Sequence, residues 1–252
     1  MNISAIIITR NEEHNIKECL TTLDFADEII VIDNDSCDQT VDIAKKYKAR
    51  VFKINGLDFS YLRNIGKEKA KGNWLFYIDA DERVPEKLGS EMKSIVSRTD
   101  YTAFYLLRAN YYLGTLWPKK ERMIRLMRKK ALIGWQGILH ESPIVTGKTG
   151  QLETSLLHYT HADLASMVEK TNEWSEIEAQ LRFKANHPQM SWWRFFRVMI
   201  SSFYHSYIQE EGWKVGTVGL IESTYQAFSM FITYAKLWER QNSRGVQFRS
   251  KS

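Results

Sequence analysis

The segment NWLFYID, residues 73–79, is a short run of apolar and aromatic residues that ends on an acid. A continuous apolar run of this length is typical of a strand buried on both faces of a parallel sheet. Segments with apolar residues at helical spacing separate it from earlier runs of the same kind, which are SAIIIT (4–9), EIIVID (28–33) and RVFKI (50–54). This alternation of strand and helix predicts an α/β fold with a mostly parallel sheet and flanking helices.

Acidic residues directly follow two of these predicted strands. Asp79 and Asp81 close the fourth strand, and Asp33 and Asp35 close the second. Open parallel sheets bind ligands outside the carboxyl ends of their strands, so both clusters lie where a ligand site is expected. Two carboxylates at i and i+2 can converge on one hard cation such as Mg²⁺ or Mn²⁺ and leave positions for phosphate oxygens. The alternatives are a solvated turn at 79–81 and a helix cap at Asp35, Ser36 or Asp38, of which Asp38 is favoured.

The remainder of the chain has a different organisation. Residues 102–114 and 122–130 are predicted to form longer, less buried strands, and from residue 162 onward the apolar spacing is helical. We therefore predict a sheet domain over residues 1–160, a helical region over 161–242 and a flexible basic tail over 243–252.

Composition narrows the class of partner. The net charge of +5 and the pI near 9.0 suit an anionic partner. No nucleic-acid-binding module accompanies the basic residues, and no GxGxxG follows an early strand, which disfavours nucleic-acid binding and a dehydrogenase. Cys19 and Cys37 lack metal-binding spacing and suit a reduced, cytoplasmic setting. With no secretory leader and no apolar stretch of about 18 residues, we expect a soluble chain or one attached to a membrane surface.

Four segments in order resemble the family 2 glycosyltransferases of the GT-A fold. They are AIIITRNEEHNIKECLTTL, ADEIIVIDNDSCDQTVDIAKKY, DFSYLRNIG and NWLFYIDADERV, and the similarity runs from about residue 3 to about residue 98. Within that family the chain is most similar to bacterial enzymes that extend the lipopolysaccharide core, a likeness to which HESP (140–143) and YAKLWERQ (234–241) also contribute. The resemblance implies transfer of a hexose from a nucleotide-diphosphate sugar, UDP-linked, with inversion and with Mg²⁺ or Mn²⁺.

The resemblance also implies roles for individual residues. Asp33 would bind the base or ribose, Asp79 would hold the sugar or ribose, and Asp81 would ligate the metal. A second contact to the metal or diphosphate would come from a histidine further along the chain, and His158 is favoured over His161. The remaining donor-site residues implied by the likeness are Thr9, Asn11 and Glu12 in the first loop, and Arg63 and Asn64 in SYLRNIG.

A single displacement with inversion needs a base on the face opposite the leaving group, because the attacking hydroxyl has a high pKa. Glu141, in GILHESP, is the candidate base, with His140 as the residue that orients it or as the base itself. Asp100, in a polar turn, is a weaker alternative. Among the basic residues of 118–130, Arg125 or Arg128 would lie near the diphosphate or an anionic acceptor.

Residues 191–208, SWWRFFRVMISSFYHSYI, are aromatic and apolar with two arginines. This helix either packs on the sheet domain or on a partner subunit of a homo-oligomer, or lies in the headgroups of an anionic membrane. The predicted activity, transfer to a saccharide or lipid-linked acceptor, would suit a peripheral position on the inner face of the cytoplasmic membrane. The alternative function is an inactive nucleotide-sugar-binding or membrane-scaffold protein.

Overall fold

The computed structural model describes residues 2–56, 58–137, 141–161 and 163–243. Within this part of the chain the residues form two compact units. The first unit comprises residues 1–110 and 120–159, and the second comprises residues 111–119 and 160–252. The chain therefore enters the second unit twice, first through the short segment 111–119. Most of the predicted basic tail, residues 244–252, lies outside the described residues.

The first unit contains the sheet and its covering helices. Its helices are α1 (Ile16–Thr21), α2 (Thr40–Lys46), α3 (Phe59–Lys69) and α4 (Glu86–Val96). Its strands are β1 (Ile3–Thr9), β2 (Glu28–Asp33), β3 (Arg50–Lys53), β4 (Trp74–Asp79), β5 (Glu82–Arg83), β6 (Ala103–Tyr112), β8 (Glu121–Arg128), β9 (Leu132–Gln136), β10 (Ser142–Val145), β11 (Thr149–Gln151) and β12 (Leu156–Tyr159), with β7 (Thr115–Leu116) pairing the end of β6 in the second unit.

The sheet has a parallel half and an antiparallel half. Its strand order is β3-β2-β1-β4-β8-β6-β12-β5. The strands β3, β2, β1 and β4 run parallel, as the alternation of strand and helix predicts. The strands β4, β8 and β6 are antiparallel neighbours, and β12 pairs antiparallel with β5 just after the end of β4. This last pairing brings residues near 158 beside the end of β4, although they are distant from it in sequence.

Apolar side chains cover both faces of the parallel half, which is why its strands are continuous apolar runs. Ile3 and Ile7 of β1 pack into a core with α1 and α4, whereas Ile6 and Ile8 pack with α3 and β9 on the other face. Gly66 of α3 lies where an added Cβ would come within 2.5 Å of Ile6 Cγ2. A glycine at this position therefore lets α3 approach β1 closely.

The second unit is helical after its short strand pair. It contains α5 (Leu164–Lys184), α6 (Trp192–Tyr204), a π-helical turn (His205–Gln209), a 3₁₀ turn (Gly212–Val215) and α7 (Gly216–Asn242). Its small core includes Ala179, Val198, Tyr234 and Leu237. Within the described residues, no helix combines the length and the apolar character needed to cross a membrane. The predicted α/β class, with flanking helices and a C-terminal helical region, is confirmed.

Candidate active site

The parallel strands bring predicted site residues to one edge of the sheet. In the β1–β2 pairing Thr9 lies opposite Asp33, and in the β1–β4 pairing Ile8 lies opposite Asp79. Neighbouring strands lie about 4.8 Å apart, so the two aspartates are about 10 Å apart along this edge. The strand order 2-1-4 thus gathers the acids on one edge of the sheet.

Two polar atoms at this edge are buried without a hydrogen-bond partner among the described residues. They are Thr9 Oγ1 and Asp33 Oδ1, and the residues that carry them are 3% and 0% exposed. The other carboxylate oxygen of Asp33 accepts from the Ser36 N–H at 3.3 Å. An unpaired buried acceptor costs about 1–3 kcal/mol, more when charged. A hydroxyl or ring N–H of a bound molecule would remove that cost, so this pair fits a polar ligand.

The loops after β1 and β2 are fastened to each other by hydrogen bonds. The Asn11 N–H donates to Ser36 Oγ at 2.9 Å, and Asn11 Oδ1 accepts from the Cys37 N–H at 2.8 Å. The Glu12 N–H donates to Thr40 Oγ1 at 2.8 Å, and its carboxylate accepts from Asn15 Nδ2 at 2.8 Å. Asn11 and Glu12 therefore shape this edge of the site through the loops.

Asp79 is held between two arginines. Arg63 Nη2 lies 3.0 Å from Asp79 Oδ1, and Arg125 Nη2 lies 2.7 Å from Asp79 Oδ2. Burial alone would raise the pKa of Asp79, but the charges of Arg125 and Arg63 outweigh it and hold that pKa well below its ordinary value. Asp79 is therefore ionised, and its main observed contacts orient guanidinium groups at the strand end.

Glu82 extends this cluster into the interior. Its carboxylate is buried and accepts from Arg125 Nη2 at 3.2 Å and from Arg108 Nη1 at 3.1 Å. Its other oxygen accepts from the Asp79 N–H at 2.9 Å. Burial raises the pKa of Glu82, and Arg125 offsets part of that rise. We call Arg63, Asp79, Glu82, Arg108 and Arg125 the arginine–carboxylate cluster.

The predicted base, Glu141, joins the same cluster. Its Oε1 accepts from Arg63 Nε at 2.8 Å, and its side chain is 13% exposed. The Arg63 guanidinium lies 4.8 Å from the centre of the Trp135 ring, and its Nη1 has no partner among the described residues. Arg63 thus bridges Asp79 and Glu141. His140, the other base candidate, lies outside the described residues.

Asn64 makes two hydrogen bonds to the backbone of β9. Its Nδ2 donates to the Trp135 carbonyl at 3.1 Å, and its Oδ1 accepts from the Trp135 N–H at 2.8 Å. The side-chain amide thus pairs with the backbone of β9 as a second strand would. Its amide holds the Trp135 backbone in place near Arg63, and the expected role of Asn64 in the donor site stays a prediction.

Asp81 and His158 face each other across the junction of β5 and β12. Asp81 Oδ2 lies 3.3 Å from His158 Nε2. Asn110 Oδ1 lies 2.8 Å from His158 Nδ1, and Asn110 Nδ2 donates to Glu121 Oε1 at 2.7 Å. Since Glu121 takes the amide donor of Asn110, the amide oxygen faces the histidine, and this arrangement assigns a proton to Nδ1.

The two residues predicted to contact the metal, Asp81 and His158, thus lie next to each other. Within the described ranges, no group of three or more histidine, cysteine, aspartate or glutamate side chains is arranged to hold a metal. With the Nδ1 proton facing Asn110, Nε2 of His158 lies beside the Asp81 carboxylate, and both atoms could ligate one cation. One carboxylate and one imidazole suit Mn²⁺, or Mg²⁺ with phosphate and water oxygens completing its shell.

Two further candidates lie elsewhere. Arg128 stacks on Trp74, with 4.8 Å from its guanidinium carbon to the ring centre, and donates to the carbonyls of Thr99 and Tyr101. This corrects its proposed place near a diphosphate. His161 belongs to the second unit and pairs with the buried Glu222, at 3.0 Å from Nδ1 to Oε2.

A parallel sheet with unpaired acceptors and basic groups at its strand ends has a ligand-binding position at the carboxyl ends of those strands. The family of the chain is shown by its sequence: the model for "Glycosyl transferase family 2" matches residues 4–200. It is therefore a family 2 glycosyltransferase.

Two relatives align with 94% of the chain. The "Lipopolysaccharide core biosynthesis glycosyltransferase LpsC" of Rhizobium meliloti (strain 1021) is 25% identical, covering 94% of this chain and 92% of that protein. The "Uncharacterized glycosyltransferase RT0209" of Rickettsia typhi is 29% identical, covering 94% of this chain and 87% of that protein.

Two solved structures illustrate the matches found among known folds. The complex of S. aureus TarS 1–349 with UDP-GlcNAc has a TM-score of 0.48 and 14% identity, covering 99% of this chain and 93% of that chain. Glucosyl-3-phosphoglycerate synthase from Mycobacterium tuberculosis, crystallised with Mn²⁺, UDP and glucosyl-3-phosphoglycerate, has a TM-score of 0.38 and 19% identity, covering 52% of this chain and 58% of that one.

Proposed function

We propose that this chain is an inverting hexosyltransferase that uses a UDP-linked sugar and glycosylates a saccharide or lipid-linked acceptor of the bacterial cell surface. Membership of family 2 supports the reaction class, and the relative named for lipopolysaccharide core biosynthesis supports this acceptor class. The observation that carries the donor assignment is the buried, unpaired acceptor pair at the strand ends, Thr9 Oγ1 and Asp33 Oδ1.

Asp33 is proposed to bind the nucleoside. An ionised carboxylate accepts strong hydrogen bonds from ribose hydroxyls or from a base N–H. Its Oδ2 already receives the Ser36 N–H, which fixes the carboxylate plane and leaves Oδ1 as the acceptor for a ligand. Thr9 Oγ1, on the neighbouring strand, supplies a second group that can donate or accept.

Asp81 and His158 are proposed to hold the divalent cation. The tautomer set by Asn110 and Glu121 presents the lone pair of His158 Nε2 towards the carboxylate of Asp81. A cation bound here supplies charge neutralisation to the departing diphosphate. The two oxygens of Asp79 contact guanidinium groups. We propose that Asp79 positions Arg63 and Arg125 where the donor sugar binds.

Glu141 is proposed as the general base. The acceptor hydroxyl oxygen forms a bond to the anomeric carbon while the bond from that carbon to the diphosphate oxygen breaks. The hydroxyl proton passes to the Glu141 carboxylate, and the nucleoside diphosphate leaves with the bonding electrons. Arg63 Nε fixes one carboxylate oxygen at 2.8 Å, which leaves the second oxygen for the acceptor hydroxyl. Base catalysis of this kind contributes about 10²–10⁴-fold.

The test is a donor assay with purified protein. Labelled UDP-hexoses are incubated with and without Mn²⁺, and release of free sugar and transfer to core-saccharide acceptors are measured. We expect turnover of at least one donor that requires the cation. Binding of UDP without turnover of any donor, under every acceptor, would instead identify a non-enzymatic nucleotide-sugar-binding protein.

A matched pair of variants tests the base. Glu141→Gln keeps an acceptor for Arg63 Nε and is expected to retain UDP binding while losing transfer by at least about 100-fold. Glu68→Gln, at an exposed position of α3, is the control and should match the wild type. Near-normal turnover of Glu141→Gln would remove Glu141 from this role.

A further inference from the structure

The outer face of α6 in the second unit is unusually apolar. Trp192, Phe196 and Ile200 follow one another at four-residue spacing, so they share one face of the helix, and they are 77%, 61% and 68% exposed. Tyr204 continues the same row at the end of the helix, and Trp193 lies beside its start. We call these five residues, Trp192, Trp193, Phe196, Ile200 and Tyr204, the α6 aromatic face.

This face is not needed to hold the unit together. The opposite side of α6 makes the packing contacts: Val198 is buried in the small core with Leu237, and the Phe195 ring lies 5.7 Å from the ring of Phe231 on α7. The helix is thus anchored by one side while its largest apolar side chains point outward. Clustered exposed aromatic and aliphatic side chains of this kind mark interaction surfaces.

The charges on α6 indicate the kind of partner. Residues 191–209 contain no aspartate or glutamate, and their basic residues include Arg194 and Arg197. The guanidinium carbons of both arginines lie near the Trp193 ring, at 5.1 Å and 5.8 Å from its centre. Tryptophan and arginine together are typical of helices that lie at a membrane interface, with the ring among the lipids and the guanidinium at the phosphates.

The same charges disfavour a symmetric contact between two copies through this helix. In a twofold interface the same patch meets itself, so the arginines of one α6 would approach those of the other. Since α6 carries no acid, it offers those guanidinium groups no opposite charge. The phosphate groups of an anionic lipid surface offer that opposite charge, at the headgroup level where tryptophan rings lie.

We propose that the α6 aromatic face lies in the headgroup layer of a membrane that contains anionic lipids, with α6 parallel to the surface. The sequence leaves a packed helix and a membrane helix as alternatives, and the outward direction of Trp192, Phe196 and Ile200 favours the second. The inference rests on the second unit alone and does not depend on the proposed reaction. A lipid-linked acceptor would be held at the same surface.

Sedimentation with vesicles tests this inference. The full chain is mixed with vesicles of phosphatidylcholine alone, or of phosphatidylcholine with about one third phosphatidylglycerol, and bound protein is measured in the pellet. We expect binding that is much stronger to the anionic vesicles. Trp192→Ser combined with Phe196→Ser should weaken it about 100-fold through lost apolar burial. Arg194→Gln combined with Arg197→Gln should weaken it about 30-fold on anionic vesicles only.

The control is Leu164→Ser combined with Val168→Ser, two exposed apolar positions on α5. This variant should bind as the wild type does, and it and the aromatic double variant should keep the wild-type melting temperature because the changed side chains are exposed. The inference is overturned if the wild type ignores both vesicles, or if the aromatic double variant binds as well as the control. It is also overturned if the wild type is a dimer by light scattering and the aromatic double variant is a monomer.

Discussion

Removing Arg125 should expose how strongly the arginine–carboxylate cluster stabilises the first unit. The Arg125 side chain is 6% exposed and bonds Asp79 and the fully buried Glu82, at 2.7 Å and 3.2 Å. Arg125→Met keeps most of the volume and removes the charge. Breaking a buried ion pair from one side costs about 3–5 kcal/mol, because the remaining charges are left unpaired.

The structure places the expected cost at the lower end of that range. Asp79 keeps Arg63 at 3.0 Å and Glu82 keeps Arg108 at 3.1 Å, so neither carboxylate becomes isolated. We therefore expect a loss of about 3 kcal/mol. For a chain of this size that loss lowers the melting temperature by about 6–12 °C, at about 2–4 °C per kcal/mol.

The assay is urea unfolding followed by tryptophan fluorescence, together with thermal melts across pH. Arg122→Met on the same strand is the control: its guanidinium lies 3.5 Å from the Tyr105 ring centre and it is exposed, so the cost should stay below about 1 kcal/mol. The pKa of Asp79 is lowered, so its contribution is present above about pH 4 and lost as pH falls further. That acid loss should be smaller in Arg125→Met. A free energy of unfolding for Arg125→Met within about 1 kcal/mol of the wild-type value would refute this reasoning.

Three other changes test separate parts of the structure. Asp33→Asn should weaken UDP binding by about 10- to 150-fold in calorimetry, since a charged hydrogen bond contributes about 1.5–3 kcal/mol; unchanged affinity would exclude Asp33 from the nucleoside site. Gly219→Ala should destabilise the second unit in thermal melts by at least about 1–3 kcal/mol, because its Cβ would come within 1.8 Å of the Gly212 carbonyl oxygen, whereas Gly56→Ala, with no neighbour closer than 3.4 Å, should not. Glu28→Gln should reduce the loss of folding stability at acid pH. Burial would raise the pKa of Glu28, but bonds from Ser4, the Lys71 N–H and Arg50 lower it below 4.5, so the contribution of Glu28 to stability is present above that pH and lost below it. A pH profile of stability that matches the wild type would contradict this.

The sequence is informative where local pattern decides structure. The apolar runs of β1, β2 and β4 and the acids that follow them are sufficient to predict the parallel half and the gathering of Asp33 and Asp79 at one edge, since the carboxyl ends of parallel strands meet there. The likeness to family 2 glycosyltransferases, confirmed by the family match over residues 4–200, added the reaction class.

The arginine–carboxylate cluster could not be predicted in the same way. Arg108 and Arg125 approach Glu82 because β6 and β8 pair antiparallel and β8 lies beside β4, and that register depends on long connections rather than on local pattern. The contact of Asn64 with Trp135 could not be predicted for a related reason, because the two residues are 71 positions apart. The signal that was available for Arg108 is its position inside an otherwise apolar predicted strand, since a buried cation needs a carboxylate partner.

The central claim is that the carboxyl edge of the parallel strands binds a nucleoside diphosphate together with a cation held by Asp81 and His158. Calorimetric titration of UDP into the wild type and into Asp81→Ala, each with and without Mn²⁺, tests it most directly. The account predicts that Mn²⁺ strengthens UDP binding to the wild type by at least about 10-fold and that Asp81→Ala loses this gain. UDP affinity that is the same in both proteins, whether or not Mn²⁺ is present, would contradict it.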